Sequence, residues 1–304
     1  MSTPLRICLF GKLALVPGDS TQPPLASARA QELFAYLALH RGRCHPRELL
    51  ASVLWADQPT SRSRQYLRKT LWQLQSALNA PGNCLDEPFL VVSREDVTLN
   101  DTADVWVDVA CFEQATASAS GMAGKQMTPA IAQDLRRAID LYRGELLEGW
   151  YNDWCLVERE RLGLMYISAL DKLVGYSEAN GEYEAGLHYG QTILRYDRAR
   201  EYTHRALMRL RFLAGDRTGA LHQFERCAAA LREELDVAPA ANTIALYERI
   251  RGGEATQAAI ALANDEAAGG TGLLPQLHRL QTVLHSVELE IAHEIESLDR
   301  SVRH

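Results

Sequence analysis

The chain has 304 residues, 47% of them hydrophobic, which is enough to bury two ordinary cores and favours more than one domain. No run of about 18 apolar residues is present, and residues 1–7 lack the pattern of a signal peptide, so we expect a cytoplasmic protein without a membrane span. Its six cysteines form no CxxC pair, which argues against a zinc site or a disulfide framework, and its net charge of −7 argues, as an average, against a nucleic-acid partner.

The charge is unevenly distributed along the chain. Residues 1–100 contain 11 Lys and Arg against 8 Asp and Glu, so the acidic excess lies entirely in the remainder. Between Arg41 and Lys69 seven basic residues stand against only Glu48 and Asp57. A basic patch of this kind is what a phosphate backbone attracts, so a nucleic-acid partner is compatible with the N-terminal third.

The first hundred residues predict a small sheet, three helices and a hairpin. Two short apolar runs flank Gly11, and the helical segments have apolar residues at a spacing of three and four. The third helix has a stripe of leucines from Leu67 to Leu78, and we expect Trp72 to pack against the hairpin. The predicted ranges are strands 5–10 and 13–16, helices 27–40, 46–57 and 61–79, and hairpin strands 89–92 and 97–99. This order is that of a winged helix-turn-helix.

The remainder is almost wholly helical by pattern, without strand-like alternation. Segments starting at Gly181 and Gly215 share Gly, Leu and His at an offset of 34 residues, the tetratricopeptide period. Stacked helix pairs of this kind form a solenoid with a groove for a partner. The predicted helices are 105–118, 129–143, 153–179, 183–196, 199–214, 217–234 and 240–251.

The C-terminal residues differ in composition from the repeats. Residues 253–272 are rich in Ala and Gly and predict a flexible linker. Residues 273–304 predict one more helix, either a coiled coil or a helix that packs back on the repeats. The fold class expected is therefore mainly α: an α+β winged helix-turn-helix (1–101), an all-α tetratricopeptide-like solenoid (102–252), a linker and a C-terminal helix.

Three segments of the repeat region, 201–210, 215–227 and 231–239, together with Leu9-Phe10-Gly11, resemble the SARP-type transcriptional regulators. Those proteins join a winged helix of the response-regulator class to a bacterial transcriptional activator domain. The resemblance covers about residues 5–251 and implies an activator that binds repeated promoter elements with RNA polymerase. One departure is the hairpin turn at residues 93–96, which lacks the glycine often found in this class.

The third helix supplies the candidate DNA-binding residues. Successive residues of a helix advance by about 100°, so its polar side chains lie opposite the leucine stripe or beside it. Arginine reads guanine and glutamine reads adenine in the major groove, whereas some of the basic residues could instead hold phosphates. The alternative is a solvated helix face. The candidates are Arg62, Arg64, Gln65, Arg68, Lys69 and Gln73, with Arg94 in the wing.

Arginines crowd the helix near residue 205 and suggest a second kind of site. They could bind a small anionic effector, or pair within the chain with acids such as Asp197 and Glu201, and pairing is the favoured interpretation. The candidate effector residues are Arg195, Arg198, Arg205 and Arg209.

Two functions stay open. One is a DNA-binding activator, expected to act as a homodimer on two half-sites; the other is a tetratricopeptide interaction scaffold whose winged helix does not bind DNA. No GxSxG, P-loop, GxGxxG or HExxH pattern is present, so we expect no enzyme, no cofactor, no metal and no catalytic residue. The expected partners are double-stranded promoter DNA, RNA polymerase, and an anionic effector or a protein in the groove.

Overall fold

The structure, a computed structural model, describes residues 5–16, 25, 27–78, 88–100 and 105–253. It begins with a three-stranded sheet in which β1 (Leu5–Cys8) lies between β2 (Ala14–Val16) and β6 (Val105–Val107). β1 pairs antiparallel with β2 and parallel with β6. Gly11 has φ of +82° in the connection from β1 to β2, a conformation that glycine adopts without strain.

The winged helix-turn-helix follows, with the helices close to their predicted bounds. They are α1 (Ala28–Leu39), α2 (Arg47–Leu54) and α3 (Thr60–Leu78), and the wing is the hairpin of β4 (Leu90–Val92) and β5 (Asp96–Leu99). A two-residue strand that the sequence pattern did not predict, β3 (His45–Pro46), pairs antiparallel with β5. It joins the wing to the start of α2, where the Arg47 N–H donates to the Glu95 carbonyl at 2.8 Å.

The wing turn closes without a glycine because a serine side chain takes over the local hydrogen bonding. The Ser93 hydroxyl accepts from the backbone N–H of Glu95 at 3.2 Å and of Asp96 at 2.9 Å. The Ser93 N–H also donates to the Asp96 carbonyl at 2.9 Å. Serine hydroxyls stabilise turns in this way, so the departure noted in the sequence leaves the hairpin intact.

The repeat region is a stack in which each helix from α6 onward contacts the next. Gly181 and Gly215, 34 residues apart, each adopt a positive φ at the turn between two helices, at +74° and +84°. This equivalence confirms the repeat predicted from the sequence. The elements are α4 (Asp108–Ser118), a 3₁₀ helix (Gly124–Gln126), α5 (Pro129–Leu141), α6 (Asp153–Asn180), α7 (Tyr183–Tyr196), α8 (Glu201–Leu213), α9 (Arg217–Leu235) and α10 (Ala241–Gly252).

The helix predicted at 105–118 begins three residues late, because residues 105–107 form β6. This strand joins the repeat region to the N-terminal sheet. The Asp108 carboxylate accepts from the backbone N–H of Leu9 at 2.9 Å and of Phe10 at 3.0 Å. Phe10 also forms a β-bridge with Leu146. A single cluster of buried apolar side chains runs from β1 through α1 to α6 and α8, so the two regions share one core.

Within the described ranges, no helix is both long enough and apolar enough to cross a membrane. The predicted helix at 273–304 and nearly all of the predicted linker lie outside the described residues.

Candidate nucleic-acid interface

The leucine stripe fixes the orientation of α3. Leu67, Leu71, Leu74 and Leu78 are all buried, with exposed fractions of 3% or less, against α1 and α2. Complete burial of such side chains contributes about 1.5–3 kcal/mol each. The helix therefore cannot rotate about its axis without exposing this stripe, and its polar face is held toward solvent.

The turn between α2 and α3 is held by a buried serine. The Ser63 hydroxyl lies 3.2–3.3 Å from the carbonyl oxygens of Trp55, Gln58 and Pro59, and its single proton can be donated to any one of them. The Arg29 guanidinium, from α1, donates to the Leu54 carbonyl at 2.9 Å. These bonds satisfy the carbonyls at the end of α2 and fix the angle at which α3 leaves the turn.

The candidate side chains on the polar face of α3 are available to a ligand. Arg62, Gln65, Arg68 and Lys69 are exposed, and their side chains make no hydrogen bond or ion pair with another described residue. A cationic side chain without an acidic neighbour can pair with a ligand directly, because no intramolecular ion pair has to be broken first. The structure thus places these four predicted residues on one accessible surface, called the α3 face below.

The other three candidates differ from these four. Arg64 forms an ion pair with Glu48 of α2, and both side chains are more than half exposed. Gln73 is half-buried near the end of α3. Arg94 is exposed at the tip of the wing, where Arg47 also donates to the Ser93 carbonyl at 3.1 Å.

Trp72 belongs to the α3 face, and the sequence interpretation misplaced it. We expected it to pack against the wing, but the residue has an exposed fraction of 68%. It follows Gln65 and Lys69 at helical spacing, so it presents an apolar surface in line with them. That spacing was visible in the sequence, but the general tendency of tryptophan to be buried argued against an exposed position.

The four candidate effector arginines do not form one site, because Arg205 and Arg209 lie apart from Arg195 and Arg198. Arg209 is almost fully buried and holds both carboxylate oxygens of Glu178 of α6, at 2.7 and 2.9 Å. Arg205 donates to Thr243 at 3.1 Å and lies 3.9 Å from Glu201. Both side chains are therefore engaged within the fold, whereas Arg195 and Arg198 lie elsewhere, at the end of α7 and in the following turn.

The N-terminal helix α1 is tied to the repeat region through a buried carboxylate. Glu32 accepts from Arg29 at 2.7 Å, from the Asn152 amide at 2.6 Å and from the Trp154 indole at 3.4 Å. The Tyr36 ring packs edge-on against Trp154, with 5.2 Å between centroids. Among the described residues, no cluster of His, Cys, Asp or Glu has the arrangement of a metal site.

The comparisons with known proteins address both regions. A family model described as the bacterial transcriptional activator domain matches residues 107–251. The regulatory protein AfsR of Streptomyces coelicolor is 27% identical over 265 residues, which cover 86% of this chain and 26% of AfsR. This chain thus spans about a quarter of the length of that relative.

A solved structure is similar in fold over most of the chain. It is Mycobacterium tuberculosis EmbR in complex with a low affinity phosphopeptide, with a TM-score of 0.70 and 21% identity. The likeness covers 90% of this chain and 71% of that one. It therefore extends through both the winged helix and the helical repeats.

Proposed function

We propose that the chain is a SARP-type transcriptional regulator carrying a bacterial transcriptional activator domain, and that it acts by binding specific sequences in double-stranded promoter DNA. The family is regulatory rather than enzymatic. The observation that carries the proposal is the α3 face, where exposed Arg62, Gln65, Arg68 and Lys69 have no partner among the described residues.

In this proposal α3 enters the major groove, which is wide enough for an α-helix. Arg68 and Gln65 can read base edges, since guanidinium and amide groups match the donor and acceptor patterns of guanine and adenine. Lys69 and Arg62 serve phosphates, and Arg64 can join them by exchanging Glu48 for a phosphate. Arg94 at the wing tip reaches the backbone or the adjacent minor groove. Gln73 contributes only at the margin, because it is half-buried.

We further propose that the protein activates transcription with RNA polymerase and binds as a homodimer. The support for the first is the family, whose model is named for activation. The support for the second is physical: a dimer on two half-sites doubles the contacts that one α3 face can make.

The test is fluorescence-anisotropy binding of the purified protein to its own upstream DNA and to a scrambled duplex, over a salt series. We expect tighter binding to the upstream DNA than to the scrambled duplex. Binding should weaken as the salt concentration rises, because the protein's Lys and Arg side chains release counterions from the phosphates and added salt opposes that release. The variant Arg68→Ala/Lys69→Ala should lose affinity by about tenfold or more, and its salt slope should fall by about 1.

The matched control is Arg137→Ala/Arg232→Ala, which removes the same charge from exposed positions on α5 and α9. It should bind DNA as the native protein does. No preference for the upstream duplex, with the α3 variant unchanged, would contradict the proposal. That result would favour the interaction scaffold whose winged helix does not bind DNA.

A further inference from the structure

A cavity of about 280 Å³ lies between α7, α8 and α9, outside the α3 face. Three arginines from two parts of the chain line it: Arg195 at the end of α7 and Arg198 in the following turn, and Arg226 on α9. Its floor includes Leu207 and Ala230. Cationic groups thus converge on an indentation with an apolar base, the usual form of a small-ligand site.

The two arginines on helices have no carboxylate partner in the described chain. Arg226 is exposed, and its side chain makes no hydrogen bond or ion pair with another described residue. Among the described residues, the Arg195 guanidinium donates only to the Thr192 hydroxyl, at 2.8 Å. Arg198 is partly neutralised at the rim by Glu233 and Glu234, at 3.2 and 3.6 Å. This contrasts with Arg209, one helix away, whose charge Glu178 compensates in the interior.

A buried histidine holds the wall of the cavity in place. The Gln223 amide of α9 donates to His204 Nδ1 at 2.7 Å, and His204 Nε2 donates to the Arg198 carbonyl at 2.9 Å. This pattern requires a neutral imidazole, and burial lowers the pKa of His204, which favours that form. The turn that carries Arg198 is therefore fixed to α8 and α9 before any ligand arrives.

We propose that this cavity binds a small molecule bearing a phosphate or diphosphate group. Guanidinium groups match pairs of phosphate oxygens in geometry and stay charged at every physiological pH. The volume corresponds to roughly nine waters at their share of liquid volume, which suits a diphosphate group.

The test is calorimetric titration of the full chain with inorganic pyrophosphate, without DNA and at constant ionic strength set with sodium chloride. We expect saturable binding with one site per chain. Arg195→Gln/Arg226→Gln should weaken it by about tenfold or more, because each substitution removes a charge-assisted hydrogen bond. Both side chains are exposed, so the variant should fold, as circular dichroism would verify.

The matched control is Arg232→Gln, an exposed arginine on the same helix that does not line the cavity. It should bind pyrophosphate as the native chain does. The absence of saturable binding, or equal affinity in the double variant, would overturn the proposal. Because DNA takes no part in this experiment, neither result bears on whether the α3 face binds a promoter.

Discussion

The α3 face and the α8 region both have dense positive charge, and the structure gives the two sets of cations different surroundings. On α3, Arg68 and Lys69 are exposed without an acidic neighbour in the described chain. Around α8, Arg209 pairs with Glu178, Arg200 with Asp171 and Arg211 with Asp216. The partners come from other helices or from the next turn. Basic residues are thus left unpaired on an exposed surface in one region and are neutralised within the fold in the other.

The largest effect on stability is expected at the Arg209–Glu178 pair, which represents the arginines that are neutralised within the fold. Arg209→Ala leaves a nearly buried carboxylate without its partner, and we expect the free energy of unfolding to fall by about 3–5 kcal/mol. Urea denaturation measures this change. The double variant Arg209→Met/Glu178→Leu should recover most of the stability, because no unpaired charge remains. A loss of less than about 1 kcal/mol in Arg209→Ala would show that the pair does not stabilise the fold.

Protonation of His204 should lower the free energy of unfolding by a smaller amount. Its pKa is lowered by burial, so between the folded pKa and the unfolded value of 6.5 only the unfolded chain takes up the proton. Stability should therefore be complete above 6.5 and should decline as the pH falls through this window. Denaturation at several pH values from above 7 to about 5.5 compares the native chain with His204→Gln. A stability difference between the two that does not change with pH would contradict this assignment.

The smallest effect concerns Glu48, the acidic partner of Arg64 beside the α3 face. Glu48→Gln frees Arg64 and removes a negative charge from the surface proposed to meet phosphates. We expect promoter affinity to rise about two- to fivefold, equivalent to roughly 0.5–1 kcal/mol, because exposed ion pairs are weak. Anisotropy titrations measure the change, with Glu160→Gln, an exposed carboxylate on α6, as the control. Equal affinities in the native chain and Glu48→Gln would show that this pair does not restrain Arg64.

Local patterns predicted most of the fold. The leucine spacing in α3 and the repeat from Gly181 to Gly215 depend on residues close in sequence, and both predictions were confirmed. The strands at 45–46 and 105–107 were missed because they are short, and because β6 is defined by its pairing with β1, a hundred residues away.

The candidate sites show the same difference: exposure on one helix could be predicted from sequence spacing, but contacts between different helices could not. The exposed positions of Arg62 and Gln65 follow from helical periodicity, which a sequence displays directly. The pairing of Arg209 with Glu178 joins two different helices, and the cavity at Arg226 requires three, so neither has a local signature. Whether a cation is free or neutralised is therefore a tertiary property.

The parallel pairing of β1 with β6, closed by Asp108 and by the bridge from Phe10 to Leu146, also bears on how the protein is made. During synthesis β1 emerges from the ribosome long before the residues that complete its sheet. The edge of β1 that pairs with β6 stays open until about a third of the chain has been made, and an unpaired strand edge invites association with other chains. A fragment that ends after the wing would lack β6, so this edge of β1 would stay unpaired. The three helices of the winged helix-turn-helix are thus encoded early, but the sheet that supports them is completed only when the start of the repeat region has been made.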